Sequence, residues 1–348
     1  MSAVAWIAVG SLIAWVWLLL GQGFYWRTDQ RLPRRTDPAR WPSVAVVVPA
    51  RDEAEMLPMS LPSLLLQDYP GDVRIVLVDD CSGDGTGQLA RDLAARHGGF
   101  PLAVVTPGEP EPGWTGKLWA VRHGIAVARR EKPDFLLLTD ADIAHEPDSL
   151  RDLVAAAGSG GEGGFDLVSQ MARLRVESVW ERLVVPAFVY FFGQLYPFRR
   201  VNRARSRTAA AAGGCVLLRT GAAERARIPD SIRQAVIDDV SLAREVRRGG
   251  GRIWLGLADR VDSVRPYPRL ADLWRMVARS AYAQLRHSPL LLAATVPGLL
   301  LVYVAPPATL TAVLYLLMTV DSAVQHYRGR GAAWKGRTYA RPEAAPDR

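Results

Sequence analysis

Two aspartates spaced one residue apart follow an apolar run that reads FLLL at residues 135–138. Asp140 and Asp142 are like charges, which repel each other unless a cation or hydrogen-bond donors lie between them. Carboxylate oxygens are hard ligands that Mg²⁺ and Mn²⁺ prefer, usually together with substrate phosphates. The pair therefore indicates a site for Mg²⁺ or Mn²⁺ and for a phosphorylated substrate.

Polar residues also follow two other apolar runs. PARDEAE (49–55) comes after VAVVV, and DDCSGDGT (79–86) comes after VRIVLV. Carboxylates in such positions can hold a ribose hydroxyl or accept a hydrogen bond from a base N–H. Helix capping is the competing interpretation, and it suits Asp84. Capping does not explain why three separate runs end in acids, so we favour a shared ligand site.

Lys117 and Asp239 supply further chemistry. Lys117 lies in GWTGK, where its ammonium group could bind a diphosphate as a point charge. Asp239 opens a helical stretch, and its carboxylate could take a proton from an attacking hydroxyl. A lysine facing solvent and an acid placed favourably at a helix start are the alternatives. A donor site, a cation site and a base together describe glycosyl transfer.

Short apolar runs alternate with amphipathic stretches between residues 43 and 285. The predicted strands are 44–48, 73–78, 102–105 and 135–138, and the predicted helices are 57–67, 86–97 and 117–130. This alternation predicts an α/β fold with a mostly parallel sheet flanked by helices. Ligands bind such sheets at the carboxyl ends of the strands, so the polar motifs should meet at one edge.

The second half is less regular. We expect a loop over the site at 106–117, further strands within 166–177 and at 215–219, and a helix within 236–251. Residues 178–198 mix aromatics with few charges and predict a helix in the membrane interface, with a buried core helix as the alternative.

Residues 1–26 predict an N-terminal transmembrane anchor. VAWIAVGSLIAWVWLLL (4–20) carries no charge and approaches the length of a span. A cleaved signal peptide is the alternative, but the start has no Lys or Arg. The arginines that follow place the next domain, 43–285, in the cytoplasm under the positive-inside rule; they are Arg27, Arg31, Arg34, Arg35 and Arg40.

A second apolar block, 289–321, is interrupted by APPA at 305–308. We favour a membrane hairpin over a single span, because a hairpin returns the basic tail 322–348 to the cytosol. The formal charge of +8 then suits binding to an anionic membrane leaflet. The sequence has no nucleic-acid-binding motif, so we do not expect nucleic acid as a partner. We expect Cys81 and Cys215 to be buried and unpaired, in agreement with a reducing compartment.

The order of the motifs resembles the family 2 inverting glycosyltransferases with the GT-A, nucleotide-diphospho-sugar transferase fold. The resemblance covers about residues 43 to 285 and rests on VVVPARDE, VDDCSGDGT, GK, DAD and IDDVSLA. GWTGKLWA (113–120), residues 263–286 and WKGRTY (334–339) are similar to the membrane-bound hopanoid-biosynthesis-associated glycosyltransferases.

The resemblance also implies roles for individual residues. Asp239 would be the general base, with Asp238 assisting it or capping its helix, and Asp140 and Asp142 would bind the metal. Residues near the nucleotide sugar would be Pro49, Arg51, Asp52, Glu53, Asp79, Asp80, Lys117, Asp140 and Ala141, with Asp79 and Asp80 on the uridine. Gly213, Gly214 and Arg279 would lie on the acceptor side, and Arg265 or Arg279 could contact the diphosphate.

The resemblance therefore predicts a hexosyltransferase of the inner membrane that faces the cytoplasm. The processive signature Q-x-x-R-W is absent from VARSAYAQLR at 277–286, so transfer of a single sugar is favoured over polymer synthesis. The expected donor is UDP-linked, and the expected acceptor is a lipid or membrane-proximal group in hopanoid or related lipid biosynthesis. The alternatives are a catalytically silent nucleotide-binding membrane scaffold and a metal-dependent nucleotidyl or phosphoryl transferase.

Overall fold

The protein is represented by a computed structural model that describes residues 3–161, 163–308, 333–334 and 337–338. The chain divides into two compact units. The larger one is Leu19–His287, and the smaller one combines Met1–Leu18 with Ser288–Arg348.

An eight-stranded sheet forms the centre of the larger unit. Its strands are β1 (Val44–Ala50), β2 (Val73–Asp79), β3 (Leu102–Val105), β4 (Phe135–Thr139), β5 (Ile143–His145), β6 (Leu167–Arg173), β7 (Cys215–Arg219) and β8 (Ile253–Ser263). They lie in the order β3-β2-β1-β4-β7-β6-β8-β5. The chain runs outward from β1 to β3 and returns to β4 on the other side of β1, so the strand order reverses between β1 and β4. Ligands of α/β sheets bind at such a switch point.

Nine helices in the described part of the larger unit cover the sheet. They are α2 (Leu57–Leu65), α3 (Thr86–His97), α4 (Gly116–Ala128), α5 (Ser149–Gly158), α6 (Val179–Leu195), α7 (Phe198–Val201), α8 (Thr220–Arg225), α9 (Asp238–Arg248) and α10 (Leu270–Gln284). The expected strands and helices of the first half are all present, as are the strands predicted within 166–177 and at 215–219.

Alternate residues of β1 face opposite sides of the sheet, as the period of a strand requires. Val46 and Val48 pack in an apolar core with α2 and α5, while Ala45 and Val47 pack in a second core with α4 and α9. A Cβ at Gly124 of α4 would come within 2.4 Å of Val47 Cγ1. The glycine thus lets α4 lie close to the sheet, which fixes the position of Lys117 at its start.

The sheet is mixed, although the α/β class is confirmed. β1, β2, β3 and β4 pair in parallel, whereas β7 runs antiparallel to both of its neighbours, β4 and β6. The parallel expectation came from the alternation of strands and helices in the first half, and it holds there. The second half breaks this alternation, so its strands enter the sheet in both directions.

Among the described residues, two apolar helices are long enough to cross a membrane. In the smaller unit, α1 (Ala3–Val16) is followed by a π-helical turn, Trp17–Gly21, that enters the larger unit, and the candidate span is Ala3–Gly21. The second, α11 (Pro289–Leu299), continues to Ala308, giving a candidate span of Pro289–Ala308. The helix therefore includes the APPA segment. The rest of the apolar block and nearly all of the tail lie outside the described residues, so the hairpin stays a prediction.

Helix α6 presents a largely apolar, exposed surface. Val179, Leu183 and Leu195 are more than half exposed, whereas Glu181 and Val185 are buried. A helix enclosed in the core would bury its large apolar residues, so the buried-helix alternative does not describe α6. Its placement in a membrane interface remains a prediction.

Candidate active site

A cleft of about 840 Å³ opens at the carboxyl ends of β1, β2 and β4. It lies at the switch point between β1 and β4, where the sheet topology favours ligand binding. The sequence-predicted residues that line it are Pro49, Arg51, Asp52, Glu53, Asp80, Lys117, Asp140, Ala141 and Asp142. The polar motifs at the strand ends thus meet at one edge of the sheet.

Lys117 joins two of these motifs. Its Nζ lies 2.8 Å from Asp140 Oδ1 and 3.1 Å from Asp238 Oδ2. Burial lowers the pKa of Lys117, but the charges of Asp140 and Asp238 outweigh burial and raise the pKa above its ordinary value. Lys117 therefore stays cationic. Burial raises the pKa of Asp140, and the lysine only partly offsets that effect.

Asp239 lies beside this cluster, at the start of α9. Its Oδ2 accepts a hydrogen bond from the Gly213 N–H at 3.0 Å, and its Oδ1 accepts one from the Val240 N–H at 2.7 Å. Burial, and then repulsion by Asp238, raise the pKa of Asp239 to about 6. A carboxylate that titrates near neutrality has a proton affinity suited to general base catalysis.

Arg265 joins two other motifs from the opposite side of the cleft. Its Nη2 lies 2.6 Å from both carboxylate oxygens of Glu53, and its Nε lies 2.7 Å from Asp142 Oδ2. The charges of Asp142 and Glu53 outweigh burial and raise the pKa of Arg265. Burial in turn raises the pKa of Glu53 despite this pairing. The contact joins residues 212 positions apart in the chain.

The donor set at Asp140 and Asp142 fits a divalent cation shared with a substrate. Each carboxylate uses one oxygen to pair with Lys117 or Arg265, and the other oxygen makes no hydrogen bond within the described residues. The described residues contain no group of three His, Cys, Asp or Glu side chains suited to a metal. An ion here would therefore take the rest of its ligands from substrate phosphates and water, as Mg²⁺ commonly does.

The two aspartates at the end of β2 have different surroundings. Asp80 lies in the cleft, with its Oδ2 3.3 Å from Arg51 Nη1. Asp79 Oδ1 instead accepts a hydrogen bond from the Ser82 N–H at 3.0 Å, and its Oδ2 would lie 2.4 Å from a Cβ at Gly87. Asp80 thus faces the cleft, whereas Asp79 orders the turn that follows the strand.

Two further acids order the turn after β2: Asp52, which we expected near the nucleotide, and Asp84, which we expected at a helix start. Asp52 lines the cleft, and its Oδ1 accepts a hydrogen bond from the Gly83 N–H at 2.8 Å. Asp84 accepts from the Thr86 N–H at 3.0 Å and from the Ala54 N–H at 2.9 Å. Asp84 therefore has a local structural role in this turn, but the N-cap residue of α3 is Gly85, so the expectation that Asp84 caps the helix is wrong.

The residues expected on the acceptor side separate in the structure. A Cβ at Gly213 would lie 3.5 Å from Asp239 Oδ2 and 3.7 Å from Lys117 Nζ, so Gly213 borders the cluster. At Gly214 the nearest contact would be Ile143 Cδ1 at 3.0 Å, which places it against the core. Arg279 belongs to α10, and its side chain lies outside the described residues.

Sequence reasoning missed one wall of the cleft. Phe188 of α6, Tyr267 in the segment after β8, and Asp272, Arg275 and Met276 of α10 all line it. The spacing of 272, 275 and 276 puts the three α10 residues on one helical face, which is the signal that could have grouped them. The local sequence of α10 does not reveal, however, that this face points toward the sheet.

A buried neutral network lies directly behind the charged cluster. His145 Nε2 is 3.0 Å from Thr139 Oγ1, and His145 Nδ1 is 3.3 Å from Ser149 Oγ. The Thr139 hydroxyl donates to the Gly214 carbonyl at 2.8 Å. Burial lowers the pKa of His145 to about 4, so it is neutral. His145 is therefore a buried packing residue.

The two cysteines do not share one environment. Cys215 is buried in β7, where burial raises the pKa of its thiol to about 12. The expectation of burial is wrong for Cys81, which is exposed in the turn after β2 with a left-handed φ of 54°. Its Sγ lies 3.9 Å from the carbonyl oxygen of Pro107.

A protein-family match covers most of the larger unit. Residues 42–283 match the family model described as "Glycosyltransferase like family 2". A solved mannosyltransferase from Pyrobaculum calidifontis, in complex with GDP-Man and Mn²⁺, aligns over 93% of each chain with a TM-score of 0.55 and 23% identity. At that identity the likeness shows the fold, and it confirms a GT-A-like architecture.

Curated relatives match shorter stretches. An undecaprenyl-phosphate 4-deoxy-4-formamido-L-arabinose transferase of Aeromonas hydrophila is 32% identical over 145 residues, which are 40% of this chain and 39% of the relative. A 4,4'-diaponeurosporenoate glycosyltransferase of Staphylococcus haemolyticus is 34% identical over 101 residues, 29% of this chain and 24% of the relative. The chain thus matches less than half the length of either relative.

Proposed function

Because this chain belongs to the glycosyltransferase-like family 2, we propose that it moves a single sugar, with inversion, from a UDP-linked donor to a lipid acceptor. The observation that carries the proposal is that three sets of charged residues meet in this cleft and directly beside it. Lys117 and Arg265 supply cations for a diphosphate, Asp140 and Asp142 supply carboxylates, and Asp239 supplies a base.

The donor would lie between the cations and the strand ends. Asp80 and Asp52 line the side of the cleft formed by β1 and β2, where they are suited to a uridine and its ribose. Lys117 and Arg265 would then bind the diphosphate, exchanging their present carboxylate partners for phosphate oxygens. Asp140 and Asp142 would hold Mg²⁺ or Mn²⁺, which neutralises charge on a departing diphosphate.

Asp239 would act on the acceptor. Its carboxylate is held by two backbone N–H groups, so its position is fixed before the acceptor arrives. An acceptor hydroxyl beside Gly213 would lose its proton to Asp239 as the oxygen attacks the sugar carbon opposite the diphosphate. Lys117 pairs with Asp238 and partly offsets its charge, but repulsion by Asp238 still contributes to the raised pKa of Asp239.

A lipid acceptor is supported by the two apolar helices and by the relatives. Ala3–Gly21 and Pro289–Ala308 are suited to anchoring the catalytic unit to the inner membrane, and the arginines after the first span favour its cytoplasmic face. One curated relative is named for a lipid phosphate acceptor. The sequence resemblance to hopanoid-associated enzymes makes a hydroxylated hopanoid the first acceptor to test.

The proposal is tested with the full chain in defined membranes. Radiolabelled UDP-sugars are supplied with a hydroxylated hopanoid or with a polyprenyl phosphate, and the lipid products are analysed by mass spectrometry. We expect a lipid heavier by one hexose unit and no longer polymer. If the protein binds UDP but transfers no sugar from a panel of UDP- and GDP-sugars to either acceptor class, the nucleotide-binding scaffold is favoured instead.

The cation assignment has its own measurement. Calorimetric titration of UDP in EDTA and in Mg²⁺ or Mn²⁺ should show tighter binding with the ion present. The D142N variant should lose that difference, because one of the two carboxylates is gone. Equal UDP affinity with and without the ion in the unmodified protein would contradict the assignment of Asp140 and Asp142.

A further inference from the structure

A second concentration of arginines lies far in sequence from the first candidate span. Residues 198–207 read FRRVNRARSR and contain Arg199, Arg200, Arg203, Arg205 and Arg207. They include α7 and the turn after it, directly beyond the exposed apolar helix α6. The proposed active site uses none of these residues.

The fold brings the beginning of this segment to the end of the span. The Arg200 guanidinium donates to the carbonyl oxygen of Gly21, the last residue of the first candidate span. Arg199 pairs with Asp29 and lies 5.9 Å from the ring centre of Phe24. Segments about 170 positions apart are therefore joined where the apolar helix ends.

Further contacts fix this junction. The Asn202 side-chain amide donates to Gln30 Oε1 at 3.0 Å, and the hydroxyls of Tyr25 and Tyr190 lie 2.5 Å apart. Trp26 is 44% exposed at the same turn. Exposed aromatics beside arginines at the end of an apolar helix are typical of the boundary between a bilayer and water.

Some arginines that directly follow the span are committed to protein contacts. Arg31 lies 2.7 Å from Asp259 Oδ1 and donates to the Ala258 carbonyl. Arg35 lies 3.1 Å from Asp37 Oδ1 and also pairs with Asp148 and Asp152. Their charge therefore stabilises the fold and is not fully available to a membrane surface.

Arg203, Arg205 and Arg207 are different. Their side chains are exposed and make no ion pair or side-chain hydrogen bond within the part of the chain that the structure describes. Arg247 holds the backbone at the start of this stretch, because its guanidinium donates to the carbonyls of Val201, Arg203 and Ala204. The segment that Arg199 and Arg200 join to the end of the span thus continues directly into three exposed arginines.

We propose that Arg203, Arg205 and Arg207 bind the phosphodiester headgroups of anionic phospholipids. The inference depends on the membrane attachment proposed above. Guanidinium groups bind phosphate oxygens in pairs, with a geometry that lysine cannot provide. Each arginine near an anionic leaflet contributes about a fivefold gain in partitioning, so three together should select anionic over zwitterionic lipid strongly.

The test measures which lipids the full chain retains. The protein is reconstituted in bilayers of equal phosphatidylglycerol and phosphatidylcholine, extracted in a non-ionic detergent, and the phospholipids kept per chain are counted by mass spectrometry. We expect an excess of phosphatidylglycerol in the unmodified protein and a loss of that excess on the order of 100-fold in R203Q/R205Q/R207Q. The charge-conserving R203K/R205K/R207K should keep part of the excess.

R91Q/R96Q/R130Q is the matched control, because it also removes three exposed arginines and leaves the 198–207 segment intact. It should retain lipids like the unmodified protein. Extraction in 1 M NaCl should lower the excess, since the Debye length falls to about 3 Å. Circular dichroism and gel filtration of each variant confirm that it folds.

Equal retention of both lipids by the unmodified protein would overturn the inference. An equal loss of phosphatidylglycerol excess in the triple glutamine variant and in the control would also overturn it. The same holds if inorganic phosphate displaces the lipid more than NaCl does at the same ionic strength. If the chain fails to insert into bilayers at all, the membrane attachment itself is wrong. Transfer of sugar is measured separately, so the two failures are distinguishable.

Discussion

Thr139 and Asp140 are neighbours at the end of β4, yet they belong to two polar clusters of opposite character. Thr139 lies in a buried network with His145 and Ser149, in which no group is charged. Asp140 pairs with Lys117 at the floor of an open cleft. One residue step along the strand therefore separates two kinds of polar site.

The difference is in solvent access and in satisfied hydrogen bonds. The Thr139 and His145 side chains are at most 4% exposed, and each of their polar atoms has a partner. The Lys117 and Asp140 side chains are 40% and 34% exposed, and one Asp140 oxygen lacks a hydrogen bond within the described residues. A satisfied network fixes geometry, whereas an unsatisfied charged cluster can accept a ligand.

Of all the substitutions predicted here, one at Asp239, beside the charged cluster, should have the largest effect on turnover. D239N should lower kcat about 10²–10⁴-fold, because the amide cannot take the proton of the acceptor hydroxyl. UDP affinity should change little, and calorimetry with steady-state kinetics measures both. D230N, which removes an exposed acid paired with Arg122, should keep normal turnover. Normal turnover in D239N would refute the base assignment.

Arg265 should show the next largest effect. R265M should weaken UDP binding about 10–100-fold, because a charge-assisted hydrogen bond to phosphate is lost. R260M is the control, since Arg260 lies in β8, just before the segment that carries Arg265, and pairs with Asp148 outside the cleft. Unchanged UDP affinity in R265M would show that Arg265 only holds Glu53 and Asp142 in place.

Activity should also depend on pH with an inflection near 6. Asp239 has its pKa raised to about 6, and only the ionised form is a base. Below that value kcat should fall about tenfold per pH unit, and above it the rate should level off. A rate profile from pH 5 to pH 8 measures this, with D230N as the reference. A flat profile across pH 5 to 7 would contradict it.

The neutral network should affect stability far more than chemistry. H145F should lower the free energy of unfolding by about 1–3 kcal/mol, because Thr139 and Ser149 lose a partner. Urea unfolding measures this loss, and H97F, at the exposed end of α3, is the control. A tenfold loss of kcat with unchanged stability would assign His145 to the chemistry instead.

His145 also predicts how stability changes with pH. Its pKa is about 4 in the folded protein and near 6.5 when unfolded. The unfolded chain therefore binds more protons between these values, and acidification from about 6.5 to about 4 should destabilise the protein. H145F should lack this component of the pH dependence.

Much of the parallel half could be predicted from local sequence. Runs such as VAVVV and FLLL specify buried strands because their lengths and β-branched or bulky residues suit a two-sided sheet. The acids that follow them must then share an edge. The antiparallel insertion of β7 between β4 and β6 could not be predicted in this way, because pairing partners depend on contacts between distant segments.

The sequence by itself determined the family, the α/β class and the set of acids at the cleft, because these follow from local patterns and their order. Only the tertiary structure decided which charges meet. It joined Arg265 to Glu53, turned Asp79 away while Asp80 faces the cleft, and brought the arginines after α6 to the end of the first span. Such contacts depend on where distant elements pack, and packing is a property of the whole chain.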